Sequence, residues 1–572
     1  MTVTTAEEMD RLLFGTLSDW CGALMRLQVR LPDPALDGGI LCPACGVIHG
    51  RCHEAVYPLM YMAHRTADER YLDAARRLFD WGENMVCPDG GMMNDFKSPW
   101  KGVTAFAAVS LHDALAFHGG LLTEKERGRW ENRLSAMGEW LYNNLTEASA
   151  AYINYYAAGA AAMALLGNYF GRDGYRDLAR RLAGVCFRYV SDSGLMYGEC
   201  RPHDARSKKG CLGIDHGYNA EESLPMLCRY AEALDPDALE RCRAMFSAEL
   251  SWMLPDGAWD DSTGTRAFKW TYWGSRTADG CQDALFRLGK TDPVFAEGAA
   301  RNAALLRRCT HNGLLAGGPD YAAFGERICV HHTFCHAKAF AHALDGGVYD
   351  APGVYLPADE PDPLRYTPET DTYRLACGPW RMTLTACDAK SRPGAQPSGG
   401  VVSLLWKQGA GPVIAAGMDE DVLLEPNNRQ LPRFPQANRS SCPRLEAAAD
   451  GKRYAQQFDK KASLTAQAAG EAVTVCVRTV PCTAAGEPLS PDVCQLSYTL
   501  CAGGLRIRGE IPPPLVSAVR FILPVAPETD VRISCGKLSS PPQRIFSLTP
   551  GFVRTEYVIA PETNGVFEIG IL

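Results

Sequence analysis

Two stretches of the chain, YLDAARRLFDW from Tyr71 and YRDLARRLAGV from Tyr175, are one amphipathic helix written twice. A helix that recurs in this way constrains a fold more than any bulk property, because it implies a supersecondary unit stacked on copies of itself. Glycine stops follow both copies, at PDGGM (Pro88) and SDSGLM (Ser191), and two later helices end at PDGAW (Pro255) and HNGLL (His311). Glycine after Asp, Ser or Asn ends a helix and turns the chain. Between these charged helices lies a second, alanine-rich set beginning near Cys52, Gly102, Asn154, Asn219, Thr277 and His332. The charged partner of the first is the run TAEEMDRLLFGTLSDWCGALMRLQ, so the pattern makes six helical hairpins spaced by about 50 to 60 residues. Six hairpins close into an (α/α)6 barrel with the apolar set inside, expected over residues 1–345.

After Asp345 the stretch GGVYDAPGVYLPADEPDPLRY is too rich in proline and glycine for a helix or a central strand, and residues 346–366 read as a linker. From 367 to 572 short β-branched and aromatic runs such as TYRLACGPWRMTLTACD, AVTVCVRTV and GVFEIGIL alternate with turn residues. They predict an antiparallel β-sandwich. A chain of 572 residues that is 46% hydrophobic has material for both domains.

The hairpins are joined by two kinds of link. Inner-to-outer links such as HRTADE are short, whereas outer-to-inner links run to about 20 residues, and loops that long in a compact domain are usually functional. Alternating direction gathers all the long links on one rim. Two of them share the pattern H-G-x-x-x-E-x-x-x-P: His49, Gly50, Glu54 and Pro58 match His216, Gly217, Glu221 and Pro225. The rim also holds Trp100, Asn154, Tyr155, Glu199, Arg201, Asp215, Tyr218, Arg266, Lys269, Trp273, Arg276, His332 and His336. Aromatic faces pack on pyranose C–H surfaces, carboxylates serve as acid and base at a glycosidic bond, and arginine pairs with an acidic sugar's carboxylate. Capping competes with chemistry here, since Asn219 and Glu222 have the spacing of a capping box and Ser223 could cap instead.

A net charge of -8 without blocks of like charge gives no footprint for nucleic acid or an anionic membrane, and a neutral or modestly charged small substrate fits better. The N-terminus lacks the pattern of a signal peptide, so the chain reads as cytoplasmic and most of its 22 cysteines as reduced, buried thiols. CPACGVIHGRC offers four zinc ligands in Cys42, Cys45, His49 and Cys52, but the spacing is tighter than in familiar knuckles, and the match with His216 assigns His49 to the rim. No cofactor or catalytic metal is expected, and the sequence sets no oligomeric state.

The motifs IHGRC, Asn154-Tyr155-Tyr156, GLMYGE and DHGYNAEES on six hairpins, followed by a β domain, resemble carbohydrate-active enzymes built as an (α/α) barrel plus β-sandwich. Within that group the chain resembles the exo-β-glucuronidases of glycoside hydrolase family 154 and, more distantly, heparinase II/III-type polysaccharide lyases. The first resemblance implies hydrolysis of a terminal glucuronic or related uronic acid from an oligosaccharide. Glu199, Asp215 and Glu221 are then the candidate carboxylates, with His216 and Tyr218 tuning them or bonding hydroxyls. Arg201 or Arg51 would hold the sugar carboxylate, Trp100 and Trp273 would stack, and His49, Asn154, Tyr155, Arg266, Arg276, His332 and His336 would complete the substrate site. The second resemblance implies β-elimination, with Tyr218 as base and Asn154 or Arg201 neutralising the uronate. Lyases of that type carry a His-rich strand early in the β domain, whereas QPSGGVVSLLWKQG has no histidine, and this favours hydrolysis. A non-catalytic carbohydrate-binding or scaffold protein would account for the hairpins but not for the acids, aromatics and arginines gathered on one rim.

Overall fold

A computed structural model describes residues 4–572 except 97, 352, 391, 393 and 421–438. Six helices, Val56–Thr66, Thr104–His118, Asn154–Tyr169, Leu224–Leu234, Gln282–Gly289 and Val330–Gly346, form the inner ring. Each packs on the next and the last packs on the first, so the ring closes. The more charged helices Ala6–Leu27, Glu69–Trp81, Glu124–Asn144, Asp173–Arg188, Ala238–Leu250 and Pro293–Arg308 lie outside it. The alanine bias of the inner set follows from this position: Thr104–His118 is buried nearly all round, and small side chains let a helix be enclosed on every face. Outer helices keep one apolar stripe, such as Tyr71, Ala74, Ala75 and Leu78. Thr and Asp caps start several of them, with full capping boxes at Thr5/Glu8 and Thr123/Glu126.

The C-terminal region is antiparallel. A five-stranded meander runs from Leu364–Thr367 to Gly411–Ala415 in sequence order. A six-stranded sheet is ordered Ser463–Ala469, Ala472–Thr479, Cys494–Cys501, Gly504–Glu510, Val566–Ile571 and Val531–Cys535, and a third sheet is built on the pairing of Arg520–Val525 with Phe552–Ala560. Inward residues of all three, including Leu384, Val402, Val475, Leu496, Phe521 and Ile569, share one core. The expected barrel and sandwich are both present.

The sandwich docks on the rim that carries the long links. Ser193 hydrogen bonds Glu369, Thr383 donates to Asp260, the amide of Gly264 donates to Gln396 at 2.6 Å, and Tyr321 donates to the Leu548 carbonyl at 3.0 Å. Links that the sequence presents as an open rim are therefore largely enclosed. No helix among the described residues is long and apolar enough to cross a membrane.

The repeated H-G-x-x-x-E-x-x-x-P pattern now has a structural cause. A Cβ on Gly50 would sit 2.2 Å from the Asn94 carbonyl oxygen, and one on Gly217 would sit 2.4 Å from a carboxylate oxygen of Asp261. At both positions glycine lets the neighbouring link pass against the start of an inner helix, and the following glutamate, Glu54 or Glu221, is a buried anchor. Gly50→Ala is expected to destabilise by about 1–3 kcal/mol, because the clash is with backbone. Gly15→Ala, in the middle of the first helix with nothing within 4 Å of the added carbon, is expected to stabilise by about 0.5–1 kcal/mol. Paired chemical denaturation of the two variants checks this, and equal effects would contradict the packing explanation.

Candidate active site

The stretch Gly213 to Pro225 enters the inner ring through one helical turn, His216–Tyr218, then a π-helical turn, Asn219–Ser223, and then the helix Leu224–Leu234. π-turns inside helices recur at functional sites because they re-aim side chains. The cap is Asp215, whose side chain accepts the Tyr218 amide at 3.1 Å. Neither Asn219 nor Ser223 caps: Asn219 donates instead to the Met196 carbonyl and to Glu249 at 2.8 and 2.9 Å.

Asp215 has a second task, because its other oxygen accepts from Nε of Arg266. On the far side of the same guanidinium, Nη2 lies 2.7 Å from Glu199. One buried arginine is thus held between two buried carboxylates, and its Cζ stands 4.0 Å from the ring centre of Tyr218 and 4.8 Å from that of Tyr152. Lys269 donates to the Tyr218 hydroxyl at 2.9 Å, and Thr277 shares a short hydrogen bond with the same oxygen. Arg266 and Lys269, two cations at one phenol, stabilise negative charge that develops on its oxygen.

One arginine cannot fully neutralise two carboxylates in a dry site. Asp215 has two good donors, whereas neither oxygen of Glu199 gains a hydrogen bond of acceptable angle among the described residues. Burial first, with Asp215 adding and Arg266 opposing, pushes Glu199 up to about 7. Arg266 itself is raised well above its ordinary range by the two acids, against the cost of burial. The arrangement is thus a charged Arg266 beside a Glu199 whose carboxyl is raised toward neutrality.

Around this centre, Trp100 is 45% exposed and meets Tyr155 edge-on at 4.6 Å between ring centres. Tyr155 follows Asn154, the first residue of an inner helix that packs against the π-turn. Asn154 is fully buried, yet neither atom of its side-chain amide has a partner among the described residues. Unpaired buried amides cost about 1–3 kcal/mol and persist where function requires them.

Other expected residues stand elsewhere. Glu221 is fully buried, accepts the Ser275 amide at 2.7 Å and lies 3.4 Å from Nε2 of His336. It braces the 270–275 hairpin against the last inner helix and presents no carboxylate to a sugar. His216 points away from Tyr218, with Nδ1 3.0 Å from Glu249 and its ring 4.0 Å from Trp252. Trp273 cannot stack on a sugar, because it is fully buried with its indole N–H on the Ala316 carbonyl. His332 and His336 pack against it, and burial with nearby Arg276 holds His332 down to about 3 and so neutral. Arg276 reaches Thr549 of the sandwich at 3.1 Å and ties the domains together. Arg51 is consumed by Glu54 at 2.6 and 2.8 Å, by Asp279 at 3.0 Å and by the Thr277 carbonyl at 3.1 Å. Arg201 folds back onto the Ala148 and Ala150 carbonyls. His49 belongs to a group of cysteines, not to the sugar-facing wall. Asp260, outside that candidate set, accepts from Ser262 and Thr383 at the domain junction. Lys269 stands on the rim in the sequence but outside the expected substrate set. Its place just before the hairpin of Trp270–Thr271 and Gly274–Ser275 carries no signal of a role, and only the fold brings it onto Tyr218.

An (α/α)6 barrel capped by a β-sandwich, with a charged tyrosine centre under an aromatic wall, is the architecture of a carbohydrate-active enzyme. Residues 17–351 match the family model described as the ulvan lyase N-terminal domain, and residues 364–538 match the ulvan lyase C-terminal domain. The chain belongs to the ulvan lyase family. It is 34% identical over 536 residues to the broad-specificity ulvan lyase of Formosa agariphila, covering 91% of this chain and 83% of that protein. Among solved structures, the chondroitin AC lyase of Streptomyces coelicolor A3 in complex with chondroitin sulphate shares the fold, with a TM-score of 0.50, 14% identity, and coverage of 98% of this chain and 79% of that one. These findings overturn hydrolysis and the glycoside hydrolase family 154 glucuronidase assignment, and they place the chain with the polysaccharide lyases. The absence of a histidine strand therefore does not exclude a lyase, and the sandwich meets the rim through Thr383, Gln396 and Thr549.

A pH dependence of stability follows from Glu222, whose carboxylate accepts the Asp279 amide at 3.1 Å. Burial, with Asp279 adding and Arg51 opposing, raises it from 4.5 to about 8. The folded chain therefore keeps a proton that the unfolded chain has lost between these values, so this group's contribution is full below 4.5 and is lost as pH rises through about 8. Glu222→Gln is expected to show a smaller fall in melting temperature over that window than the unmodified chain. Parallel melting curves with the same slope in pH would contradict the assignment.

Proposed function

We propose that this protein is a polysaccharide lyase that cleaves ulvan, or a polysaccharide with the same uronate linkage, by β-elimination, with Tyr218 as the base. The observation that carries the reading is the Tyr218 hydroxyl set between Lys269 at 2.9 Å and the Arg266 guanidinium, 4.0 Å from the ring. In the reaction the Tyr218 oxygen acts as phenolate: the C5–H bond breaks and its proton passes to that oxygen. The electron pair forms the C4=C5 double bond, the C4–O bond breaks, and the leaving oxygen takes the proton from Tyr218, which returns to phenolate, so no water is consumed. Removal of the C5 proton is eased when the uronate carboxylate accepts hydrogen bonds that stabilise the enolate. Asn154 has the unpaired buried amide for that task, whereas the other eligible residue, Arg201, has its donors on backbone. The exposed Trp100, with the half-buried Tyr155 against it, forms the aromatic wall on which sugar rings would pack. Glu199 and Asp215 act as positioning residues through Arg266.

The test is incubation with ulvan while ultraviolet absorbance of the unsaturated uronate and release of free uronic acid are followed together. Absorbance gain is expected, and Tyr218→Phe is expected to lower turnover by about 10²–10⁴-fold with little change in melting temperature. Asn154→Ala is expected to lose activity while melting no lower, since the change removes a buried amide that has no partner among the described residues. Free uronic acid without absorbance gain, or full activity in Tyr218→Phe, would overturn the proposal.

A further inference from the structure

The link after the first helix carries Cys42, Cys45 and His49, and the fold brings to them Cys329, the residue that caps the last inner helix, Val330–Gly346. One ligand atom from each of the four lies within 4.8 Å of every other. Sγ of Cys329 is 3.7 Å from Sγ of Cys42, 3.8 Å from Sγ of Cys45 and 3.5 Å from Nε2 of His49. A tetrahedral ion with metal–sulfur bonds of about 2.3 Å and a metal–nitrogen bond of about 2.0–2.1 Å sets its sulfurs about 3.8 Å apart and sulfur to nitrogen about 3.5 Å apart. The three spacings from Cys329 agree within about 0.1 Å, the tolerance expected of a real site being about 0.2 Å. A disulfide does not explain them, since its sulfurs would stand about 2.05 Å apart, and Cys42, Cys45 and Cys329 are unbridged.

The surroundings suit a closed site. Cys42, Cys329 and His49 are buried, with His49 only 1% exposed, and Cys45 is half-buried. The Cys45 amide points at Sγ of Cys42 at 3.4 Å, a donor that favours a thiolate at that sulfur. The His49 ring stands edge-on to His331 at 5.5 Å, which holds the imidazole with Nε2 toward the sulfurs. Three thiolates and one imidazole in tetrahedral array select zinc over the hard cations, and four protein ligands leave no open position for a substrate.

We propose that Cys42, Cys45, His49 and Cys329 bind one zinc ion that clasps the first hairpin of the barrel to the last. The ring of inner helices closes where Val330–Gly346 meets Val56–Thr66, and the clasp fixes the start of the helix that also carries His336 against Glu221 and Lys338 against Glu54. Cys52, the fourth ligand that the CPACGVIHGRC spacing suggests, is buried outside the group. The true fourth ligand lies 284 residues beyond Cys45, which is why no local spacing rule finds it.

The experiment is metal analysis of the full chain purified under reducing conditions and passed over a chelating resin, with zinc released by a mercurial titrant and counted. One zinc per chain is expected in the unmodified protein and in Cys52→Ala, and loss of it, with a lower melting temperature, in Cys45→Ala and Cys329→Ala. If the cysteine variants do not fold, reconstitution of the unmodified chain with cobalt is expected to give thiolate-to-cobalt charge transfer and the visible bands of a tetrahedral ion. No stoichiometric zinc even after reconstitution, an octahedral cobalt spectrum, or zinc lost from Cys52→Ala but kept by Cys329→Ala would overturn the proposal. The readouts do not involve turnover, so they stand apart from the lyase assay.

Discussion

The site is organised by one contact: the guanidinium of Arg266, buried and gripped from two sides by Glu199 and Asp215. A buried arginine without partners would be prohibitively costly, and two carboxylates without a cation would be as bad. Together they form a cluster that fixes the guanidinium against the Tyr218 ring. Asp215 couples this to local structure, because the same carboxylate caps the turn on which Tyr218 sits. Helix start, arginine and tyrosine therefore cannot move independently.

The same economy shapes the rest of the barrel mouth. Glu54, Arg51, Lys338 and Asp279 form a second closed charge network, and Glu221 ties the 270–275 hairpin to the last inner helix. The sandwich lies on the rim, where Asp260, Gly264 and Arg276 bond directly to Thr383, Gln396 and Thr549. A small aromatic surface at Trp100 and Tyr155 stays open beside the tyrosine centre.

The barrel is legible in the sequence because its cause is periodic: alanine-rich inner helices alternate with charged outer ones, four of which are followed by a glycine turn. The H-G-x-x-x-E-x-x-x-P repeat is legible as a pattern but not in meaning, since its glycines answer to the Asn94 carbonyl and to Asp261, which only the fold brings near. Carboxylates gathered on a rim suggest hydrolysis, yet sequence cannot tell an acid aimed at a sugar from one aimed at an arginine. The net charge of -8 is an average over the chain and so does not show Arg266 and Lys269 converging on one phenol. Trp273, Arg51 and Arg276 read as ligands for a sugar because the groups that bury or engage them, Ala316, Asp279 and Thr549 among them, lie far along the chain.

The proposal that Glu199 works through Arg266 and not on the substrate is tested most directly by a double-mutant cycle in turnover on ulvan. Glu199→Gln, Arg266→Gln and the double variant are each measured and corrected for folded fraction. Strong coupling is expected, the double variant being no slower than Arg266→Gln alone, as for residues that act as one unit. Losses that multiply independently would contradict it and return Glu199 to the sugar.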